Sequence, residues 1–200
     1  MFLFGITGGI GSGKSAVCRL LQQKGVPIIE ADPLAKELSQ RVPEIREALT
    51  KEFGAEAYTN GGHLNKDKLS AVVFSDPEAR QRVNAIIHPH VLKWIQEEAR
   101  RLANEEQQLV GVEAALIYEA GMEKMLDAVV VVTAPLEKRI QWLKQRNHFS
   151  EEEIQKRIAM QMPIAEKIQR ADYVIENDGG LAELADKVEA LYHWLGLHVY

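Results

Sequence analysis

The sequence predicts an α/β protein, a five-stranded parallel sheet with helices on both faces. Three observations carry that reading. Short apolar runs of buried-strand type recur at Phe2–Thr7, Val26–Ile29, Gln108–Val112, Ala128–Thr133 and Asp172–Ile175. Helical patterns separate them, as parallel crossovers require. The first run leads straight into a glycine-rich loop and then a helix with an apolar face.

The first strand, Phe2-Leu3-Phe4-Gly5-Ile6, is apolar throughout. Gly8-Gly9-Ile10-Gly11-Ser12-Gly13-Lys14-Ser15 then fits G-x-x-x-x-G-K-[ST], the phosphate-binding P-loop. Glycines let the backbone take positive φ and approach a ligand closely. Such a turn aims successive N–H groups inward as an anion nest. The helix Ala16-Val17-Cys18-Arg19-Leu20-Leu21 follows, and its N-terminal dipole favours negative charge. Gly9, Gly11, Ser12, Gly13 and Ala16 thus belong to the cradle, Lys14 adds a mobile cation for the β- and γ-phosphates, and Ser15 offers a hydroxyl to Mg²⁺. The expected ligand is a nucleoside triphosphate with Mg²⁺.

The second strand runs into Glu30-Ala31-Asp32. Asp32 has two readings at this stage: a carboxylate that accepts the proton of an attacking hydroxyl, or an N-cap for a helix opening at Pro33. Residues 33–106 then carry mostly helical pattern, far more than one crossover needs, and predict a helical insertion. Within it, His88-Pro89-His90 lacks the companions that complete a zinc site, so His88 reads as a polar contact. The third strand ends at Glu113, an acid placed to hold Mg²⁺ through water or simply to face solvent, and Glu119 follows close by. After the fourth strand, residues 137–170 form a second helical segment rich in Lys, Arg and Gln. Its Arg139, Arg146 and Arg157 suit phosphate by their planar, permanently charged forks, or else form a solvated basic face. The fifth strand leads to Glu176-Asn177-Asp178-Gly179. In an open parallel sheet ligands bind beyond the carboxyl ends of the strands, so all these residues are expected on one rim.

Composition bounds the rest. A length of 200 residues suits one domain with inserted subdomains. A formal charge of −5 argues against nucleic acid as the main partner. No apolar run approaches the roughly 18 residues a membrane span needs. The N-terminus has no basic region or cleavage site, so a cytoplasmic protein is expected. Cys18 is the single cysteine, which forbids an intrachain disulfide and suits a small core residue. Nothing in the sequence speaks to the oligomeric state.

With these residues assembled, the chain resembles the dephospho-coenzyme A kinase family. Gly5 to Ser15 is similar to the family's opening nearly residue for residue. Glu30-Ala31-Asp32-Pro33-Leu34-Ala35 resembles its Asp-Ala-Asp-x-x-Ala element, Asn84 to Pro89 its Ile-His-Pro segment, and Glu113-Ala114-Ala115-Leu116-Ile117-Tyr118-Glu119 its Asp-Val-Pro-Leu-Leu-Phe-Glu. Arg157, Gln161 and Ala171 to Gly179 are similar to its C-terminal third. Ala16, Glu30, Glu113, Ala115 and Tyr118 depart from the pattern, standing for Thr, Asp, Asp, Pro and Phe.

The resemblance implies a sheet of P-loop kinase type, a helical substrate-binding insertion and a helical lid. It implies transfer of the ATP γ-phosphoryl group to the ribose 3′-hydroxyl of dephospho-coenzyme A, the last step of coenzyme A biosynthesis. On it, Lys14, Asp32 and Arg139 are catalytic. Arg146 assists at ATP, Asn177 borders the adenine, and Asp32, His88 and Glu119 meet the acceptor. Ser15 and Glu113 serve Mg²⁺. Arg139 is expected to arrive with a lid that is mobile until ATP binds. A kinase of another small nucleotide or nucleoside is the alternative. A guanine-nucleotide switch is disfavoured, because Asn65-Lys66-Asp67-Lys68 has Lys68 where guanine reading needs Asp.

Overall fold

The computed structural model describes residues 1–147 and 149–199; the side chains of Lys66, Phe74, Ser75, Arg146 and Asn147 fall outside the description. Strands β1 (Phe2–Gly8), β2 (Ile28–Glu30), β3 (Leu109–Glu113), β4 (Ala128–Thr133) and β5 (Tyr173–Glu176) form one sheet in the order β2-β3-β1-β4-β5. Every neighbouring pair is parallel. The order reverses around β1, which lies between β3 and β4, so the switch point opens beside the loop that follows β1.

Four strands differ from the sequence expectation by one or two residues, β1 only by running on to Gly8, and the other three show local reasons. β2 starts at Ile28 because Val26 still belongs to the end of the preceding helix, its N–H bonded to Leu21 O at 3.2 Å after Gly25 turns with φ +84°. β3 extends through Glu113, whose Cα is in register with Ile6 on one side and Glu30 on the other. β5 starts after Asp172, whose carboxylate takes the Val129 N–H at 2.8 Å in place of a main-chain acceptor. Asp127 does the same for Leu3 N–H at 2.7 Å, just before β4.

The period of two along the strands sorts side chains to opposite faces. Phe4, Ile6, Val130, Val132 and Ile175 share one face with α1 (Lys14–Gln23) and α9 (Leu181–Gly196), through Val17, Leu21, Leu184, Val188, Leu191 and Leu195. On the other face, a Cβ at Gly5 would stand 2.6 Å from both Ile117 and Leu126, which shows how closely the chain after β3 covers that side. Near-continuous burial of β1 and β4 follows from this double covering.

The chain divides into two compact units, Met1–Glu30 with Glu98–Tyr200, and Ala31–Glu97. The second is helical: α2 (Ala31–Arg41), α3 (Pro43–Phe53), α4 (Lys66–Ser75) and α5 (Pro77–Asn104) up to Glu97. Ile45, Leu49, Ala57, Tyr58, Leu69 and Val83 form its core, and the Tyr58 hydroxyl donates to Ser39 O at 2.6 Å. The insertion expected over 33–106 compares with this unit, while α5 from Glu98 onward belongs with the sheet. The segment expected over 137–170 consists of α6 (Leu136–Asn147), α7 (Glu151–Ala159) and α8 (Ile164–Gln169). Ser150 and Glu153 close a reciprocal capping box at the start of α7.

Candidate active site

The loop between β1 and α1 has the shape its glycines predict. Gly8, Gly11 and Gly13 all take positive φ. Gly13, at φ +96°, is the N-cap of α1 and has no side chain to cap it, so the helix opens toward an incoming anion. Gly9 is required for a different reason. Its φ is unremarkable, but a Cβ there would lie 2.5 Å from Nη2 of Arg139 and 2.7 Å from its Cζ. The Ser12 hydroxyl is buried and has no hydrogen-bond partner among the described residues.

Side chains distant in sequence brace this loop. Arg139 Nε donates to Ile10 O at 2.9 Å, and Asn177 Nδ2 donates to Ser12 O at 3.0 Å. Ile10 N–H donates to Gln161 Oε1 at 2.9 Å. One helical turn after Arg139, Leu143 packs on Gly11, where a Cβ would come within 2.9 Å of it. Arg139 is 5% exposed, and burial pushes its guanidinium below the ordinary arginine value. Arginine starts high enough to stay charged regardless. The sequence expectation brings Arg139 in with a mobile lid; in this structure it is already seated. It lies in the first turn of α6, just past β4, and already rests on the P-loop. Burial of Leu143 in α6 and Ile154 in α7 likewise gives the segment apolar anchors that its charged sequence did not advertise.

The rim beside the loop carries charge of both signs. Lys14 Nζ donates to Gly8 O at 3.3 Å and stands 3.9 Å from Glu113 Oε1. Cys18, on the first turns of α1, feels this field. Burial first, then the charges of Glu113 and Glu30, push its thiol from 9.0 up to about 12. The folded state therefore holds that proton more tightly than the unfolded chain. Its contribution to stability is complete below pH 9.0 and is lost as pH rises toward about 12. At pH 8 a disulfide reagent is expected to leave Cys18 untouched in the native protein and to modify it fully in guanidinium chloride. Native modification at the unfolded rate would contradict the burial.

Other expected residues are distributed more widely. Asp32 is the second residue of α2, which starts at Ala31, so it is not the N-cap that a helix opening at Pro33 would give it. Inside the first turn its charge still complements the helix dipole, and the residue is exposed. His88 lies in α5 within the helical unit, one residue before Pro89. Glu119 faces Lys167 at 3.0 Å and accepts the Met162 N–H at 2.8 Å. The Arg146 side chain is outside the described residues. Arg157 stacks over the Phe149 ring at 4.4 Å. Among the described residues no group of three or more His, Cys, Asp and Glu is placed to hold a metal ion. Two contributors escaped sequence reasoning. Lys167 is fully buried, its ammonium pushed below the ordinary lysine value by burial while Glu119 opposes the shift. In sequence it reads as one more solvated lysine of a short polar helix, and no local signal marks it. Gln161 likewise gave no sign that its partner was Ile10.

The dephospho-CoA kinase family model matches residues 2–183. The chain belongs to the dephospho-CoA kinase family. A dephospho-CoA kinase of Salinibacter ruber is 40% identical over 192 residues, covering 96% of this chain and 96% of its own length. One of Bacillus cereus is 36% identical and covers 94% of each chain. Among solved structures, TT1252 from Thermus thermophilus superposes with a TM-score of 0.82 at 38% identity, over 97% of both chains. The dephospho-CoA kinase from Campylobacter jejuni gives 0.70 at 25% identity, over 96% of this chain and 95% of its own. A shikimate kinase from Acinetobacter baumannii, at 18% identity and a TM-score of 0.53, shares the fold alone.

Proposed function

We propose that this protein transfers the γ-phosphoryl group of ATP to the ribose 3′-hydroxyl of dephospho-coenzyme A, giving coenzyme A and ADP, and that it does so in the cytoplasm. The observation that carries the reading is the braced P-loop with Lys14 at its mouth, in a chain that matches the dephospho-CoA kinase family over residues 2–183. A polyphosphate fits this loop. Its positive-φ glycines turn the backbone where a Cβ would strike Val132 O, Leu143 or Asn177, and the buried Ser12 hydroxyl points to a missing polar partner. Ser15 and Glu113 are oxygen donors of the kind Mg²⁺ takes, and that ion needs few protein ligands because phosphate and water complete its shell. When bound, Mg²⁺ supplies neutralisation of charge across the β- and γ-phosphates. Among the described residues no helix is long and apolar enough to cross a membrane.

Within this reading, Lys14 follows charge onto the transferring group and Arg139 stabilises it from the α6 side. Asn177 borders the adenine at the end of β5. Arg146 assists at the phosphates. Within residues 137–170, α7 forms the moving part of the lid, while the first turns of α6 and the turn after α7 belong to the wall of the loop. The helical unit receives the acceptor, with His88 and Glu119 among its contacts. Asp32 accepts the proton of the attacking hydroxyl. General-base help is worth about 10²–10⁴-fold. Asp32→Asn is therefore expected to lower turnover by that order with little change in ATP affinity. Preserved turnover with a lowered melting temperature would make Asp32 a helix-stabilising residue only.

The direct test is incubation of the purified protein with ATP, Mg²⁺ and a panel of hydroxyl acceptors, with products read by mass spectrometry. Dephospho-coenzyme A is expected to be converted to coenzyme A with stoichiometric ADP. Phosphorylation of a nucleoside instead, with dephospho-coenzyme A untouched, would move the reading to a nucleoside kinase.

A further inference from the structure

Ile10 stands between two glycines at the tip of the P-loop, where the backbone has the least intrinsic preference. Both of its main-chain polar groups are taken by side chains from far along the chain. Arg139 holds the carbonyl at 2.9 Å and Gln161 holds the N–H at 2.9 Å. The turn that carries Gln161, between α7 and α8, is itself fastened from behind. Next to Gln161, the Met162 N–H donates to Glu119 Oε1 at 2.8 Å. Glu119 pairs with the buried ammonium of Lys167, at 3.0 Å to one carboxylate oxygen and 3.2 Å to the other. Lys167 also donates to Ala115 O at 2.8 Å, so its ammonium has a neutral acceptor beside the carboxylate. A buried lysine is tolerated only when its charge and donors are met in this way. Ala115 O further accepts from Thr7 Oγ1, at 3.3 Å, on the strand that enters the P-loop. The turn is thus fastened to the segment that follows β3 and holds Gln161 against the loop tip.

We propose that Gln161 is a positioning residue for phosphoryl transfer, fixing the Ile10 peptide so that the P-loop amides converge before the triphosphate arrives. The inference rests on the reading that this loop binds ATP for transfer. A flexible Gly-Gly-Ile-Gly tip would otherwise sample several conformations, and the reacting phosphate would lose its alignment. A misplacement of about 1 Å costs about 10²-fold in rate.

Gln161→Met keeps the length and volume of the side chain and removes the acceptor. The expected result is a kcat lower by about 10²-fold with an unchanged KM for dephospho-coenzyme A and a melting temperature near wild type. In ¹⁵N-labelled protein without nucleotide, the Ile10 amide proton should exchange faster in Gln161→Met. Gln161→Glu, which retains an acceptor oxygen, should restore its slow exchange. Wild-type kcat in Gln161→Met, or an Ile10 amide that exchanges no faster than in wild type, overturns the proposal. Failure of the wild-type protein to make coenzyme A would instead overturn the proposed reaction, and the exchange measurement would still judge the brace.

Discussion

Lys14→Ala is expected to abolish phosphoryl transfer and weaken ATP binding while the fold persists. Among the described residues the contacts of the Lys14 ammonium are long, 3.3 Å to Gly8 O and 3.9 Å to Glu113. Removing them therefore changes stability little. The function of the side chain lies with the ligand. A neutral oxyanion donor is worth about 10²–10³-fold, and a mobile cation on the γ-phosphate exceeds that, so a loss of at least roughly 10³-fold in turnover is expected. Glu113 would also be left beside the phosphates without its cationic neighbour, which adds to the loss of ATP affinity. The measurement is steady-state turnover together with ATP titration and circular dichroism. Wild-type turnover in a folded Lys14→Ala protein would remove the P-loop from the mechanism and with it the assignment.

Arg139→Ala is the second large effect expected. A charge-stabilising arginine can be worth roughly 10³–10⁵ in rate, and Arg139 has a second task, because its Nε holds the Ile10 carbonyl while its guanidinium covers Gly9. Alanine removes both the cation and the brace. Turnover should fall far more than ATP affinity, since the charge contact strengthens in the transition state. Lysine should rescue only partly: it restores a point charge but has no Nε fork to span carbonyl and phosphate together. Because Arg139 is already seated, a non-hydrolysable ATP analogue should slow hydrogen exchange in α7 and leave the first turns of α6 unchanged. Equal losses in turnover and ATP affinity would reduce Arg139 to a ground-state binding residue. Strong new protection at the start of α6 would restore the lid as its carrier.

The P-loop, the five strands and the rim acids were legible because each rests on a local signal. The loop needs glycine at specified spacing, and the strands need short apolar runs between helical patterns. Glu113 is identified by the strand it ends. Errors of one or two residues at β2, β3 and β5 came from hydrogen bonds that periodicity does not encode, such as the Asp172 carboxylate on Val129 N–H. The capping alternative for Asp32 failed because α2 starts at Ala31, so that Pro33 is its third residue rather than its first. The packing within segment 137–170 was hidden for a compositional reason. Its charge suggested a loose lid, yet Arg139, Leu143, Ile154 and Lys167 are all buried.

The sequence by itself determined the fold class, the phosphate cradle and the family resemblance, because strand and helix periods and glycine conformations are set by residues near one another in the chain. Only the tertiary structure decided what holds that cradle in shape. The braces join Ile10 to Arg139 across 129 positions, Ile10 to Gln161 across 151 and Ser12 to Asn177 across 165. These partners meet because β1 is threaded between β3 and β4, and later elements return to its end. No local pattern records that return. An arginine and a lysine that look solvated in sequence are buried by it and a glutamine is half-buried, and each bonds to a specific partner.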